Sequence, residues 1–160
     1  MAAVRLAESV IKSAADEREY RHITLPNKLQ VLLSSDDKTE KSSAALDVNV
    51  GHFSDPEEAP GLAHFCEHML FMGSEAYPGE NSYSAFIAAS GGADNAYTEN
   101  EQTVYHFDVG EAHHLPAALD RFAAFFVAPL FNRGSQDREV AAVETEFQDT
   151  LQDDDARVSD

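Results

Sequence analysis

Between residues 44 and 50 the apolar side chains Leu46, Val48 and Val50 alternate with Asp47 and Asn49. Period-two patterning places the two sets on opposite faces of a strand. Directly downstream the period changes. Residues 60–72 read as a helix with Pro60 near its first turn, Tyr77-Pro78-Gly79 breaks the chain, and residues 82–90 form a second short helix stopped by Gly91-Gly92. Residues 93–97 and 102–109 then read as a hairpin around 98–101, with Thr103, Tyr105, Phe107 and Val109 sharing a face. Leu115, Leu119, Phe122 and Phe126 fall at helical spacing up to Pro129, and a last helix covers residues 135–151. Upstream, residues 25–33 read as a strand entered through a Pro26-Asn27 turn, and the charged residues 34–43 as a hairpin loop. Strands interspersed with helices in this way predict an α+β fold, an antiparallel-rich sheet with helices packed on one face.

The bulk numbers narrow the function. A chain of 160 residues, 43% hydrophobic and 25% charged, supports one globular core. No apolar run approaches about 18 residues, which excludes a membrane-spanning helix. The formal charge of −18 repels nucleic acid and anionic lipid. The same acidity serves plain solubility or, as a sharper reading, attracts basic peptides. Cys66 is the sole cysteine, so no intrachain disulfide and no thiolate-rich metal site can form. Residues 1–19 read as a polar leader without a secretory apolar core, and residues 20–160 as the domain. A cytoplasmic location is the expectation.

The chemistry concentrates in His64-Phe65-Cys66-Glu67-His68. At about 100° per residue, His68 lies about 40° round from His64 and Glu67 about 60° the other way, so all three share one arc. Two imidazoles one turn apart can converge on a single ion, and a neighbouring carboxylate can act as general base on water that the ion has acidified. A wet polar face would also hold His, Glu and His, so a third ligand has to decide. Leu62, Phe65, Cys66, Met69 and Met72 read as the apolar side, which makes Cys66 an inert buried thiol rather than a nucleophile.

Candidates for the third ligand are Glu139, Glu144 and Glu146 on the last helix, beside an apolar stripe of Val140, Val143, Phe147 and Leu151. Glu139 and Glu146 share one flank about 10 Å apart along the axis, so both cannot bind one ion directly; Glu144 lies on the other flank. The wheel does not choose between the flanks. His52, His106, His113 and His114 stay unassigned.

Beyond these spacings, four blocks occur in order: SSAALDVNVGHFSDPEEAPGLAHFCEHMLFMGSEAYPGENSYSAF, GGADNAYTENEQTVYHFDV, ALDRFAAFFVAPLF and DREVAAVETEF. Together they resemble the N-terminal catalytic region of the pitrilysin/insulysin family of inverted-motif zinc metallopeptidases, closest to its insulysin/nardilysin branch. The resemblance implies one zinc ion (Zn2+) per chain, with Glu146 as third ligand beside His64 and His68, Glu139 as a supporting carboxylate, and Glu67 as general base. It also implies that peptide substrates add as a strand along residues 93–97, where Asn95 and Ala96 offer backbone and amide hydrogen bonds.

Two departures stand out. Where such relatives carry Asn-Gly, this chain has Asn27-Lys28, so a lysine must take a turn position that glycine fills without strain. The chain also runs only a little past Glu146, whereas the family closes two halves over its substrate. The expectation is therefore a fragment that binds zinc with weak or absent peptidase activity, needing a missing C-terminal half or partner chain to close the chamber. The competing readings are a non-catalytic binding subunit and a purely structural metal.

Overall fold

The computed structural model describes residues 5–6 and 10–150, and the chain separates into two compact units, residues 1–39 and 40–160. In the first unit β2 (Glu19–Thr24) and β3 (Gln30–Ser35) form an antiparallel hairpin, with Tyr20 opposite Ser34 and Thr24 opposite Gln30. A two-residue strand, β1 (Arg5–Leu6), adds to the outer side of β2. The turn closes with Lys28 N–H donating to the Leu25 carbonyl at 2.9 Å, and Lys28 sits at φ 72. The lysine thus occupies the left-handed position anticipated at Asn27-Lys28. The leader expected for residues 1–19 lies in part outside the described residues.

The second unit carries a three-stranded antiparallel sheet in the order β4-β6-β5, built from β4 (Ser42–Val48), β5 (Asp94–Thr98) and β6 (Thr103–Val109). Central β6 buries Thr103, Tyr105, Phe107 and Val109 and turns Val104, His106 and Asp108 the other way, as its alternation requires. Against that buried face pack α2 (Ser82–Ala89), through Tyr83 and Ile87, and α3 (Leu115–Val127), through Ala118, Phe122 and Phe125. The aromatic rings interlock, with Tyr83 4.6 Å from Phe125 and Phe107 5.2 Å from Phe122. Buried aromatics of this size contribute about 1.5–3 kcal/mol each. The remaining helices are α1 (Leu62–Leu70) and α4 (Arg133–Thr150), which pack against each other, α1 also touching β5. The architecture is α+β, with helices on one face of an antiparallel sheet.

Several local expectations are corrected. Residues 34–43 do not make a hairpin: β3 and β4 belong to different sheets, and β4 pairs with β6, Leu46 opposite Tyr105. The strand β2 has no counterpart in the reading above, because Glu19, Arg21 and His22 break up its apolar alternation. The buried stripe of α3 runs through Ala118, Phe122 and Phe125, which leaves Leu119 and Phe126 partly exposed. Of the apolar stripe on α4, Val140 and Phe147 are more than half exposed and Val143 is half-buried; Leu151 lies outside the described residues. No helix among the described residues is long and apolar enough to cross a membrane.

Candidate metal centre

α1 buries Met69 and Leu70 as an amphipathic helix does, but it buries a carboxylate with them and leaves two apolar residues outside. Cys66 and Leu62 face solvent, whereas Glu67 is buried at 7% exposure beside Met69 and Leu70. The arc predicted for His64, Glu67 and His68 is real, but it points inward and the thiol points out. Desolvation nonetheless pushes the Cys66 thiol up from its ordinary value, so little thiolate is present near neutrality. α1 meets α4 and the edge strand β5 on the side that carries its histidines.

That contact brings three donor atoms together. His68 Nε2 lies 3.2 Å from His64 Nε2, and Glu146 Oε2 lies 3.4 Å from His64 Nε2 and 3.6 Å from His68 Nε2. These three residues form the metal-competent cluster among the described residues. Zinc takes nitrogen and oxygen donors at about 2.0–2.2 Å, so the donors of a tetrahedral site stand about 3.4 Å apart. The triangle here has that size, so the donor set fits zinc.

Glu139 takes a different place. Its Oε2 accepts from His68 Nδ1 at 3.0 Å. With Nδ1 carrying the proton, Nε2 presents its lone pair toward the cluster. The two glutamates sit two turns apart on one flank of α4, one at the donor triangle and one behind it. Glu144, on the opposite side, accepts from Gln148 Nε2 at 2.8 Å.

β5 forms the sheet edge, so its outward N–H and C=O groups have no strand partner among the described residues. Asn95 and Ala96 on β5 line one cleft of about 580 Å³ together with His64, Glu67, His68, Phe71 and Glu146. All the site residues inferred from the sequence thus meet in that cleft, Glu139 excepted, which stands behind His68.

Other residues hold these elements in place and were missed. Asp55 accepts from the N–H groups of Gly61 at 2.7 Å and Ala63 at 2.8 Å, capping the start of α1 from outside the helix. Gly61, at φ 87, offers no side-chain cap of its own. The His52 ring stands edge-on to His64 with centroids 6.3 Å apart, and its backbone N–H donates to Glu99 O at 3.0 Å. Gly51 permits that approach, because a Cβ there would lie 2.1 Å from the same carbonyl oxygen. At the start of α4, Glu80 accepts from Ser135 Oγ and from Arg138 Nη2, both at 2.6 Å. The Ser135 hydroxyl and the Arg138 guanidinium hold the Glu80 carboxyl below its ordinary range. Finally, Thr98 Oγ1 donates to Glu67 Oε2 at 2.6 Å. An acid six residues ahead of Gly61 is a weak capping signal at best, and nothing in the spacing of Glu80 or Thr98 marks either of them.

An inverted HxxEH helix facing a glutamate-bearing helix, on an α+β scaffold with an open sheet edge, is the arrangement of a metallopeptidase. The chain belongs to the family described as Insulinase (Peptidase family M16), which matches residues 30–160. It is 54% identical over 144 residues to the A-factor-processing enzyme of Saccharomyces cerevisiae, covering 90% of this chain and 14% of that protein. It is 51% identical over 150 residues to the insulin-degrading enzyme of Homo sapiens, covering 94% and 15% respectively. Among solved structures it resembles pitrilysin, with a TM-score of 0.87, 39% identity, and coverage of 93% of this chain and 16% of that one. The chain therefore spans about one-seventh of the length of these curated relatives.

Proposed function

We propose that this chain carries the zinc-binding and proton-transfer half of a metalloendopeptidase site. The observation that supports this above the others is the donor triangle of His64, His68 and Glu146, at separations of 3.2, 3.4 and 3.6 Å. It opens into a cleft bounded by the buried carboxylate of Glu67 and a free strand edge. His64, His68 and Glu146 would hold one zinc ion. When bound, that ion supplies Lewis acidity, lowering the pKa of water toward about 7 and polarising the scissile carbonyl.

The chain's own residues do the rest. Glu67 receives the proton released as water attacks the carbonyl carbon, and returns a proton to the leaving amine nitrogen. Glu139 keeps the His68 imidazole in one tautomer and orientation. Asn95 and Ala96 pair with an extended peptide along β5, which reads backbone more than side chains and so tolerates varied sequences. The charge of −18 favours peptides of basic character.

Residues 20–160 act here as part of a larger metallopeptidase domain. Further sequence, in the same gene product or a partner chain, supplies the remaining substrate contacts and water exclusion. Alone, the 160 residues bind zinc but hydrolyse peptides weakly or not at all.

The test is Glu67→Gln in the complete gene product, with zinc content and hydrolysis of a fluorogenic peptide measured together. Zinc should be retained while turnover falls by about 10²–10⁴-fold. Turnover at the wild-type rate with zinc bound removes Glu67 from the role of base; purified protein without stoichiometric zinc removes the metal.

A further inference from the structure

A general base works only if the oxygen that takes the proton is held still. The terminal torsion of a glutamate is broad and roughly two-fold, so packing along the side chain does not fix its carboxylate plane. At Glu67 that plane is set from outside. Among the described residues the side-chain hydrogen bond made by this buried carboxylate comes from Thr98, at 2.6 Å to Oε2. That length is typical of the strong bonds from hydroxyls to carboxylates.

Thr98 is itself immobilised. It is β-branched, hence stiff at χ1, and stands in register with Thr103 across the β5–β6 pair. Thr103, at 4% exposure, donates its hydroxyl to the Val50 carbonyl at 2.8 Å. Each hydroxyl has one proton. With one committed to Val50 and the other to Glu67, the 3.3 Å contact between the two hydroxyl oxygens wedges Thr98 in place rather than adding a third bond.

We propose that Thr98 is the positioning residue of the general base: its hydroxyl ties down Oε2 of Glu67 and leaves Oε1 as the oxygen that receives the proton. The proposal rests on the peptidase reading above and extends it. Thr98 ends the same strand that carries Asn95 and Ala96. One strand would then align the peptide and orient the base, so the distance between scissile bond and proton acceptor is built into the register of β5.

The experiment uses the complete gene product and a fluorogenic peptide. Wild type is compared with Glu67→Gln, Thr98→Val and Thr98→Ser, and each protein is checked for zinc content and thermal unfolding. Valine keeps the shape and the strand preference of threonine but has no proton to donate; serine restores it. Thr98→Val should lose about 10- to 100-fold in kcat, the scale expected for a displaced catalytic group. Its KM should stay within about twofold and its zinc should remain bound. Thr98→Ser should recover most of that loss.

Wild-type kcat in Thr98→Val overturns the proposal, as does a serine variant no better than the valine one. Loss of zinc in Thr98→Val overturns it too, because Thr98 would then be supporting the metal site. Should the valine variant fail to fold, Thr98→Ala carries the same comparison. A wild-type protein that hydrolyses nothing, or a Glu67→Gln variant as active as wild type, brings down the peptidase reading and this proposal together, and is told apart by that signature.

Discussion

Replacing Glu139 should weaken zinc binding in a graded way although Glu139 is outside the donor triangle. Its Oε2 meets His68 Nδ1 at 3.0 Å, with both side chains about four-fifths shielded from solvent. Removing the carboxylate frees the His68 ring to rotate and to switch tautomer, so part of the time Nε2 presents a proton to the ion instead of a lone pair. Losing such a partner typically costs 10- to 100-fold in metal affinity, or about 1.4–2.7 kcal/mol. Glu139→Ala should show a loss within that range. Glu139→Gln should show a smaller one, since its amide oxygen still accepts from Nδ1 but lacks the charge. Competition against a chromophoric zinc chelator near pH 7.5 measures both, with circular dichroism to verify folding. Glu144→Ala is the control, because it removes the same charge from the other flank of the same helix. If Glu139→Ala binds zinc as wild type does, or if Glu144→Ala weakens binding equally, the reasoning fails. In the second case the effect is only the reduced charge of an acidic protein.

Three further outcomes follow from the elements around the site. Asp55→Ala leaves the Gly61 and Ala63 amides unpaired and should cost about 1–2 kcal/mol in urea unfolding, with weaker zinc binding alongside; unchanged stability would mean the start of α1 is held by something else. Lys28→Gly relieves a left-handed lysine at φ 72 and should raise the stability of the first unit by about 0.5–1 kcal/mol, whereas a loss would show that the lysine side chain outweighs its backbone strain. The Glu80 clamp should be sensitive to pH. Its folded carboxyl titrates below the unfolded value of about 4.3, so its stabilisation is complete above that pH and drains away as the pH falls through the folded value. Wild type should therefore be more stable than Glu80→Gln at pH 7, with the gap closing as the pH falls below the unfolded value; a gap independent of pH would rule out an ionic clamp.

Much of the fold was legible because burial imposes a period. The Thr103, Tyr105, Phe107, Val109 alternation gave a strand with those four residues on one face, which the structure buries, and Gly91-Gly92 marked the end of α2 for a physical reason. A Cβ at Gly92 would lie 1.9 Å from the Asp108 carbonyl oxygen, so only glycine lets the chain pass so close to β6. The β5–β6 hairpin was legible, but the pairing of β4 was not. Whether β4 joins β3 or β6 depends on contacts distant in sequence, and a charged loop between two strands reads as a hairpin whether or not one forms. On α3 the apolar residues are numerous enough to support two neighbouring stripes, and packing against Phe107 and Tyr83 selected Phe125 over Phe126.

At the site the rule that served the core was only half right. On α1 it placed Met69 correctly but put Cys66 inside, and on α4 it named an apolar stripe without saying which way that stripe faces; the two helices meet through His64, His68, Glu139 and Glu146. Packing two helices through imidazoles and carboxylates forgoes hydrophobic burial and sets carboxylates against one another's fields. Such an arrangement is stable when each charge finds a partner, and an ion held by three donors provides that. The exposure of Phe147 follows from the same choice, since one helix cannot turn Glu146 toward His64 and His68 and also bury Phe147 against α1. Period alone could not have shown this, because it reports which residues share a side and not which side faces in.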